Sequence, residues 1–303
     1  MKVSVIVPTY KRSSCIQRAV DSVLNQSLND IEVIVVDDNG IGTIDGNLTY
    51  SKMLKYKDNK RVVYIRHKIN QNGAVARNTG IKHAQGKYIA FLDDDDEYLP
   101  LRLEKLYLKM ESLDESWGAC YSSYIKVMKN GSIQKSNEKI EGDVYLYTLM
   151  RSLYIGSGSN LFVRRSVIDT IGMWDETFKR NQDLEFMIRI FKNYKLAFVD
   201  EILMKANYDV RNNTLSFKEN YNREFLFRKK FSHHLTELSE ENRRQVHIMY
   251  DLDLIRLCIG YRKFMRVLQI MIKSDIPFKI YLAYIKYALD RKKNRTCYGF
   301  KFN

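Results

Sequence analysis

Two short runs, 3–7 (VSVIV) and 31–36 (IEVIVV), are apolar at almost every position and rich in β-branched side chains. Continuous apolar runs of this length mark strands covered on both faces, the usual state of a parallel sheet. Between them Ile16, Ala19, Val20, Val23 and Leu24 recur at helical spacing, with Ser13 and Ser14 as N-cap candidates. Strand, helix, strand is a βαβ unit, for which a right-handed crossover is expected. The alternation continues with a strand at 62–66, a helix over 73–83 and a strand at 88–92. Further strands are expected at 119–124, 160–164 and 196–200, and a helix at 183–191. Beyond about Tyr208 the pattern becomes helical and basic. The chain therefore reads as α/β: an open, mostly parallel sheet flanked by helices to about residue 110, short strands mixed with helices to about 210, and a helical C-terminal extension over 211–303.

Ligands of such sheets bind outside the carboxyl ends of the strands. Three groups fall at such ends: Pro8-Thr9-Tyr10, Asp37-Asp38-Asn39 and Asp93 to Asp96. The four carboxylates in FLDDDDEYLP (91–100) repel one another and need a positive partner. Mg²⁺ or Mn²⁺ would serve, since such ions prefer oxygen ligands and accept one or two carboxylates alongside substrate phosphates. The plainer alternative is an acidic turn capping a helix that starts near Pro100. In VVDDNG (35–40) a carboxylate at a strand end can accept from a base imide or a ribose hydroxyl, and Tyr10 offers a stacking face. The same residues also favour an ordinary turn. Arg77, one turn into the helix after Asn72-Gly73, can pair with Asp37, Asp38 or a phosphate, or simply lie on an exposed helix face.

VSVIVPTYKR, VIVVDDNG, NGAVARNTGI and GKYIAFLDDDDEYLP, in this order, resemble the nucleotide-sugar-dependent glycosyltransferases of family 2, which have the GT-A fold. The resemblance continues through GSGSNLFVRRSVIDTIGMWDETF (156–178) and NQDLEFMIRI (181–190), and so covers residues 1–210. It implies nucleotide-sugar binding in 1–100 and an acceptor side in 101–210. On the donor side it implicates Pro8, Tyr10 stacked on a base such as uracil, Asp38 accepting from the base imide, and Arg77 supporting that carboxylate. Asp94 would contact the ribose, Asp95 would bind Mn²⁺ or Mg²⁺ bridging the diphosphate, and Asp93 would complete a DxD-type motif. Asp183 falls where the family places its general base. The motif is usually Glu-Asp, and Gln182 stands here for the Glu, which puts in doubt whatever the first carboxylate does. Gln182, Ser157 and Ser159 would lie on the acceptor side. One base opposite a diphosphate leaving group implies a single displacement with inversion. No membrane span or QxxRW-type motif is visible, which favours addition of a single sugar. The expected reaction is transfer from a UDP-sugar to a saccharide or lipid-linked oligosaccharide in cell-surface polysaccharide synthesis.

Charge sharpens this picture at one end. The 303 residues carry a formal net charge of +14, and residues 261–303 hold eleven Lys and Arg against two Asp. In 263–273 and 277–295 apolar and aromatic residues interleave with these cations, as in helices that lie on an anionic membrane surface. Packing on a second subunit, giving a homodimer, is the other use of such faces. Nucleic acid is not expected, because no recognised module accompanies the basic stretch. The four cysteines are far apart and form no CxxC pair, which fits a reducing cytoplasm, and the basic helices would set the protein peripherally on the inner face of the cell membrane. Two other readings are weighed: a nucleotidyltransferase of related fold, which would want a Gly-rich, Arg-bearing loop where PTYKRSS stands, and a non-catalytic membrane- or partner-binding module.

Overall fold

The computed structural model describes residues 1–178, 180–208 and 216–302. Its strands are β1 (Val3–Thr9), β2 (Ile31–Asp37), β3 (Val62–Arg66), β4 (Tyr88–Phe91), β5 (Glu97–Tyr98), β6 (Trp117–Met128), β7 (Ile133–Ser136), β8 (Phe162–Arg164) and β9 (Lys195–Tyr208). The helices are α1 (Ile16–Leu24), α2 (Ile44–Met53), α3 (Gly73–His83), α4 (Arg102–Glu111), α5 (Tyr145–Leu149), α6 (Arg165–Ile171) and α7 (Gln182–Phe191), followed by α8 (Phe217–Lys230), α9 (Ser232–Leu235), α10 (Glu240–Gly260), α11 (Phe264–Lys273) and α12 (Phe278–Asn294). Two compact units result. One holds these nine strands with α1–α4, α6 and α7; the other holds residues 145–154 with α8–α12 and a two-residue strand, Thr296–Cys297. The domain boundary expected near residue 210 lies outside the described residues.

In the first unit the strand order is β7-β6-β8-β4-β1-β2-β3. The strands β3, β2, β1 and β4 are parallel neighbours, whereas β8 runs antiparallel to β4 and β6. Every residue of β2, and all of β1 but Pro8, is buried, as their unbroken apolar runs require. Helix α3 lies unusually close to β1. A Cβ on Gly80 would stand 2.4 Å from Ile6 Cγ2, so only glycine fits there.

Some local expectations give way. The N-cap of α1 is Cys15, without a side-chain bond, because the chain is still turning at Ser13 and Ser14. Asn160 belongs to a short 3-10 helix, Gly158–Asn160, ahead of β8. Strand β9 runs on to Tyr208, past the exposed Asp200 and Glu201 that interrupt its apolar pattern.

The second unit holds the half-buried Arg151 between Glu224, to which it donates, and Asp253 at 3.8 Å. Helix α12 turns its Tyr284 and Tyr287 rings onto Phe300 and stacks Arg291 on Tyr154 at 4.4 Å. Phe278, Leu282, Ile285 and Leu289, spaced to share its opposite face, are each more than half exposed. Among the described residues, no helix is long and apolar enough to cross a membrane.

Candidate active site

Parallel pairing brings the three sequence groups to one edge. Thr9 stands opposite Asp37 in the β1–β2 register, and Ile6 opposite Phe91 in the β1–β4 register, so the chain leaves β4 directly into the acidic run. Pro8 is a half-buried member of β1 beside Val36. Thr9 then spans the gap, its hydroxyl donating to Asp94 Oδ2 at 2.7 Å.

The positive partners of the carboxylates are two arginines from distant segments. Arg12 Nη1 lies 3.0 Å from Asp94 Oδ1 and 2.7 Å from Asp95 Oδ2, and Arg77 Nη2 lies 2.6 Å from Asp93 Oδ1. Arg18 Nη2 donates to the backbone carbonyl of Asp95 at 2.7 Å. Burial still dominates Asp94, whose carboxyl is pushed up to about 6; Arg12 and the Thr9 hydroxyl pull the other way, and Asp95 adds to the rise. Burial also acts to lower the Arg12 pKa, but Asp94 and Asp95 carry it above its ordinary value. Asp96 meets neutral donors, among them the Ser157 hydroxyl at 3.3 Å and the Asn207 N–H at 3.1 Å. Its carboxyl is driven upward by burial and then by Asp93 and Asp95.

Asp93, Asp95 and Asp96 each offer a carboxylate oxygen, all within 4.8 Å of one another. Three hard oxygen donors at this separation suit Mg²⁺ or Mn²⁺, so the donor set fits the expected cation. Ser157 and Ser159, expected on an acceptor side, are set against this acidic turn. Ser159 Oγ accepts from the Asp93 N–H at 3.0 Å, and Ser157 donates to Asp96.

Arg77 does not support Asp38 as expected. Its position on α3 aims it across the strand ends, where one arm holds Asp93 and the other donates to Gln182 Oε1 at 3.2 Å. Its guanidinium lies 4.8 Å over the Trp174 ring, which in turn stacks on Phe186 at 4.5 Å. Gln182 also donates to the Phe178 carbonyl at 2.6 Å, which locks the amide and gives Arg77 an oxygen to meet. Asp183 follows in the first turn of α7, half-buried, with Oδ1 accepting from the Leu184 N–H at 3.0 Å. The N-cap of that helix is Asn181. Burial raises the Asp183 pKa, the Leu184 N–H and then Arg77 oppose the rise, and Asp93 adds to it. A Cβ on Gly158 would come to 3.7 Å of Asp183 Cβ and 3.6 Å of Trp174, so the 157–159 turn lines the same hollow.

Asp38 behaves as a clamp. Oδ1 pairs with His67 Nδ1 at 2.7 Å and accepts from the Gln71 N–H at 2.9 Å. Oδ2 accepts from Asn70 Nδ2 at 2.8 Å and the Asn72 N–H at 3.0 Å. A carboxylate has about four acceptor positions, so none remains for the base imide expected there. Tyr10 is exposed at the tip of the edge, with Lys11 Nζ 5.1 Å over its ring.

Sequence reasoning missed Arg12, Asp96, Thr9, Asn207 and Trp174 as site residues. Thr9 and Asp96 lay inside the quoted groups without a role assigned to them; Arg12, Asn207 and Trp174 carry no local signal, because their partners are between 82 and 111 residues away in Arg12–Asp94, Arg77–Trp174 and Asn207–Asp96.

A mostly parallel α/β sheet with a carboxylate cluster on the carboxyl edge of its strands is the arrangement of the GT-A fold. The family model described as Glycosyl transferase family 2 matches residues 4–172, and the chain belongs to that family. An uncharacterized glycosyltransferase of Rickettsia bellii is 32% identical over 212 residues, covering 68% of this chain and 30% of that protein. One from Rickettsia prowazekii is 31% identical over 212 residues, covering 67% of this chain and 63% of its own. The chain thus spans less than two thirds of the length of these relatives. A Campylobacter jejuni GalNAc(5)-diNAcBac-PP-undecaprenol beta-1,3-glucosyltransferase is 31% identical over 144 residues, 47% of this chain and 44% of that one. The crystal structure of S. aureus TarS 1–349 in complex with UDP-GlcNAc superposes with a TM-score of 0.64 at 19% identity, over 86% of this chain and 73% of that one, a likeness of fold.

Proposed function

We propose that the protein transfers one sugar, with inversion, from a UDP-sugar to a hydroxyl of a saccharide or lipid-linked oligosaccharide, as a step in cell-surface polysaccharide synthesis. The observation that carries this reading is the bridge made by Arg77, which joins Asp93 of the carboxylate cluster to Gln182, the neighbour of Asp183. Asp93, Asp95 and Asp96 would hold Mn²⁺ or Mg²⁺, which when bound supplies positive charge to the departing diphosphate. Asp183 serves as general base, and its upward-shifted pKa makes it a better proton acceptor than an ordinary surface carboxylate. Tyr10 supplies a face for the base, Pro8 and Thr9 shape the strand end beneath it, and Asp94 faces the ribose. Asp38 acts one step back, holding the 67–72 loop that forms the wall of the base site.

The same reading puts the protein in the cytoplasm on the inner, anionic face of a membrane. Its support is the outward face of α12, where Phe278, Leu282, Ile285 and Leu289 form a stripe bordered by Lys279, Lys286, Lys292 and Lys293. The relative named for an undecaprenol-linked acceptor, C. jejuni's glucosyltransferase, fits such a location.

The test is a screen of nucleotide sugars for a Mn²⁺-dependent rise in Tm, followed by transfer assays on the hit. Asp183→Asn should keep the rise while transfer falls by about 10²–10⁴-fold. No shift with any nucleoside diphosphate, with or without Mn²⁺, would overturn the reading.

A further inference from the structure

Asp95 belongs to two arrangements at once. It is one of the three carboxylates that suit a divalent cation, and its Oδ2 is 2.7 Å from Arg12 Nη1. An ion about 2.1 Å from a carboxylate oxygen that also held Arg12 would stand within about 5 Å of the guanidinium, two positive charges contending for one anion. The two charges differ in their freedom. Asp94 and Asp95 are held in the buried turn, with side chains 5% and 6% exposed, whereas the Arg12 side chain is 38% exposed and sits in the loop after β1. Arg12 is therefore the member that can move. Its contact with Asp94, at 3.0 Å, is to a carboxylate outside the cation set, so it need not leave the site when Asp95 is taken.

We propose that Arg12 is an exchangeable counter-ion of the donor site. It neutralises Asp94 and Asp95 in the nucleotide-free protein, yields Asp95 to the divalent cation, stays tethered to Asp94, and turns its remaining N–H groups to the incoming diphosphate. The planar guanidinium suits that second task, since its fork matches phosphoryl oxygens as well as it matches carboxylates. This rests on the reading of Asp93, Asp95 and Asp96 as the cation site. It makes Arg12 a positioning residue with two effects of opposite sign, opposing the cation alone and favouring nucleotide once the cation is in place. An arginine that merely braced the loop would have effects of one sign.

The test compares the full chain with Arg12→Gln, Arg12→Lys and Asp95→Asn. Mn²⁺ alone is titrated and followed by the electron paramagnetic resonance of the unbound ion. UDP is then titrated calorimetrically at saturating Mn²⁺. Arg12→Gln should bind Mn²⁺ about tenfold more tightly and UDP about tenfold more weakly, with Arg12→Lys between it and the native protein. Arg12→Lys keeps the charge and so keeps the test open if Arg12→Gln does not fold. Native protein and Asp95→Asn binding Mn²⁺ equally well would overturn the cation site and this inference together. Loss of Mn²⁺ in Asp95→Asn with affinities unchanged, or both weakened, in the Arg12 variants would overturn the role of Arg12 alone.

Discussion

Arg77 Nη2 lies 2.6 Å from Asp93 Oδ1, and this contact makes one side chain common to the carboxylate cluster and the helix that carries Asp183. The arginine is largely buried and Asp93 is partly so, and removing one member leaves the other poorly solvated. Arg77→Ala is expected to lower stability by about 2 kcal/mol and transfer by at least about tenfold. Denaturant unfolding and steady-state kinetics check the two effects separately.

The four donors around Asp38 make a second, purely structural claim. Asp38→Ala would strand the Gln71 and Asn72 N–H groups and His67, which also meets Thr79 Oγ1 at 2.9 Å. A loss of about 2–4 kcal/mol is expected by urea unfolding, larger than for Asp93→Ala, because more donors lose their partner at once.

For Asp94 the folded pKa, about 6, stands above the ordinary value of 3.8. A carboxyl with a raised folded pKa stabilises the protein fully below the unfolded value and loses that contribution as pH rises through the folded one. Nucleotide-free protein should therefore lose stability between about pH 4 and 6 relative to Asp94→Asn, which does not titrate, by up to about 3 kcal/mol. Chemical denaturation of both proteins across this range measures it, and parallel curves would refute the assignment.

The outward stripe of α12 is short, four side chains over three turns, and its Lys279, Lys286 and Lys293 recur every seven residues along one border. Self-pairing would cover less than the roughly 800 Å² per partner of a standard interface and, in an antiparallel pair, would oppose lysines. An anionic bilayer satisfies both the stripe and its border. Leu282→Asp with Ile285→Asp should cut co-sedimentation with phosphatidylglycerol vesicles by about tenfold or more. It should leave the native protein's Tm rise with UDP and Mn²⁺ unchanged. A change of oligomeric state in light scattering, with vesicle binding untouched, would point to a second copy instead.

Much of the sheet is legible in the sequence for a simple reason. Strands β1, β2 and β4 are buried on both faces, so their composition alone announces them. Helix α2 buries Gly46, Thr49 and Met53 while exposing Ile44, Leu48 and Tyr50, so no apolar period marks it. The site divides the same way. Asp93 to Asp96 declare themselves by crowding and by following a strand. Arg12 does not, being one cation among 50 Lys and Arg, and its importance arises only when β1 and β4 become neighbours. Asp38 shows a limit of another kind: its placement at a strand end was readable, but the saturation of its oxygens depends on how the 67–72 loop folds back.

Gly80 sits one turn beyond Arg77 on α3, with its missing side chain facing Ile6 of β1. Adding a methyl group there would act as a shim, lifting the helix away from the sheet and carrying the guanidinium out of register with both Asp93 and Gln182. The proposed sugar transfer is thus exposed to a defect at a residue placed in neither the donor nor the acceptor site, because the depth at which a helix is seated decides where its charge arrives.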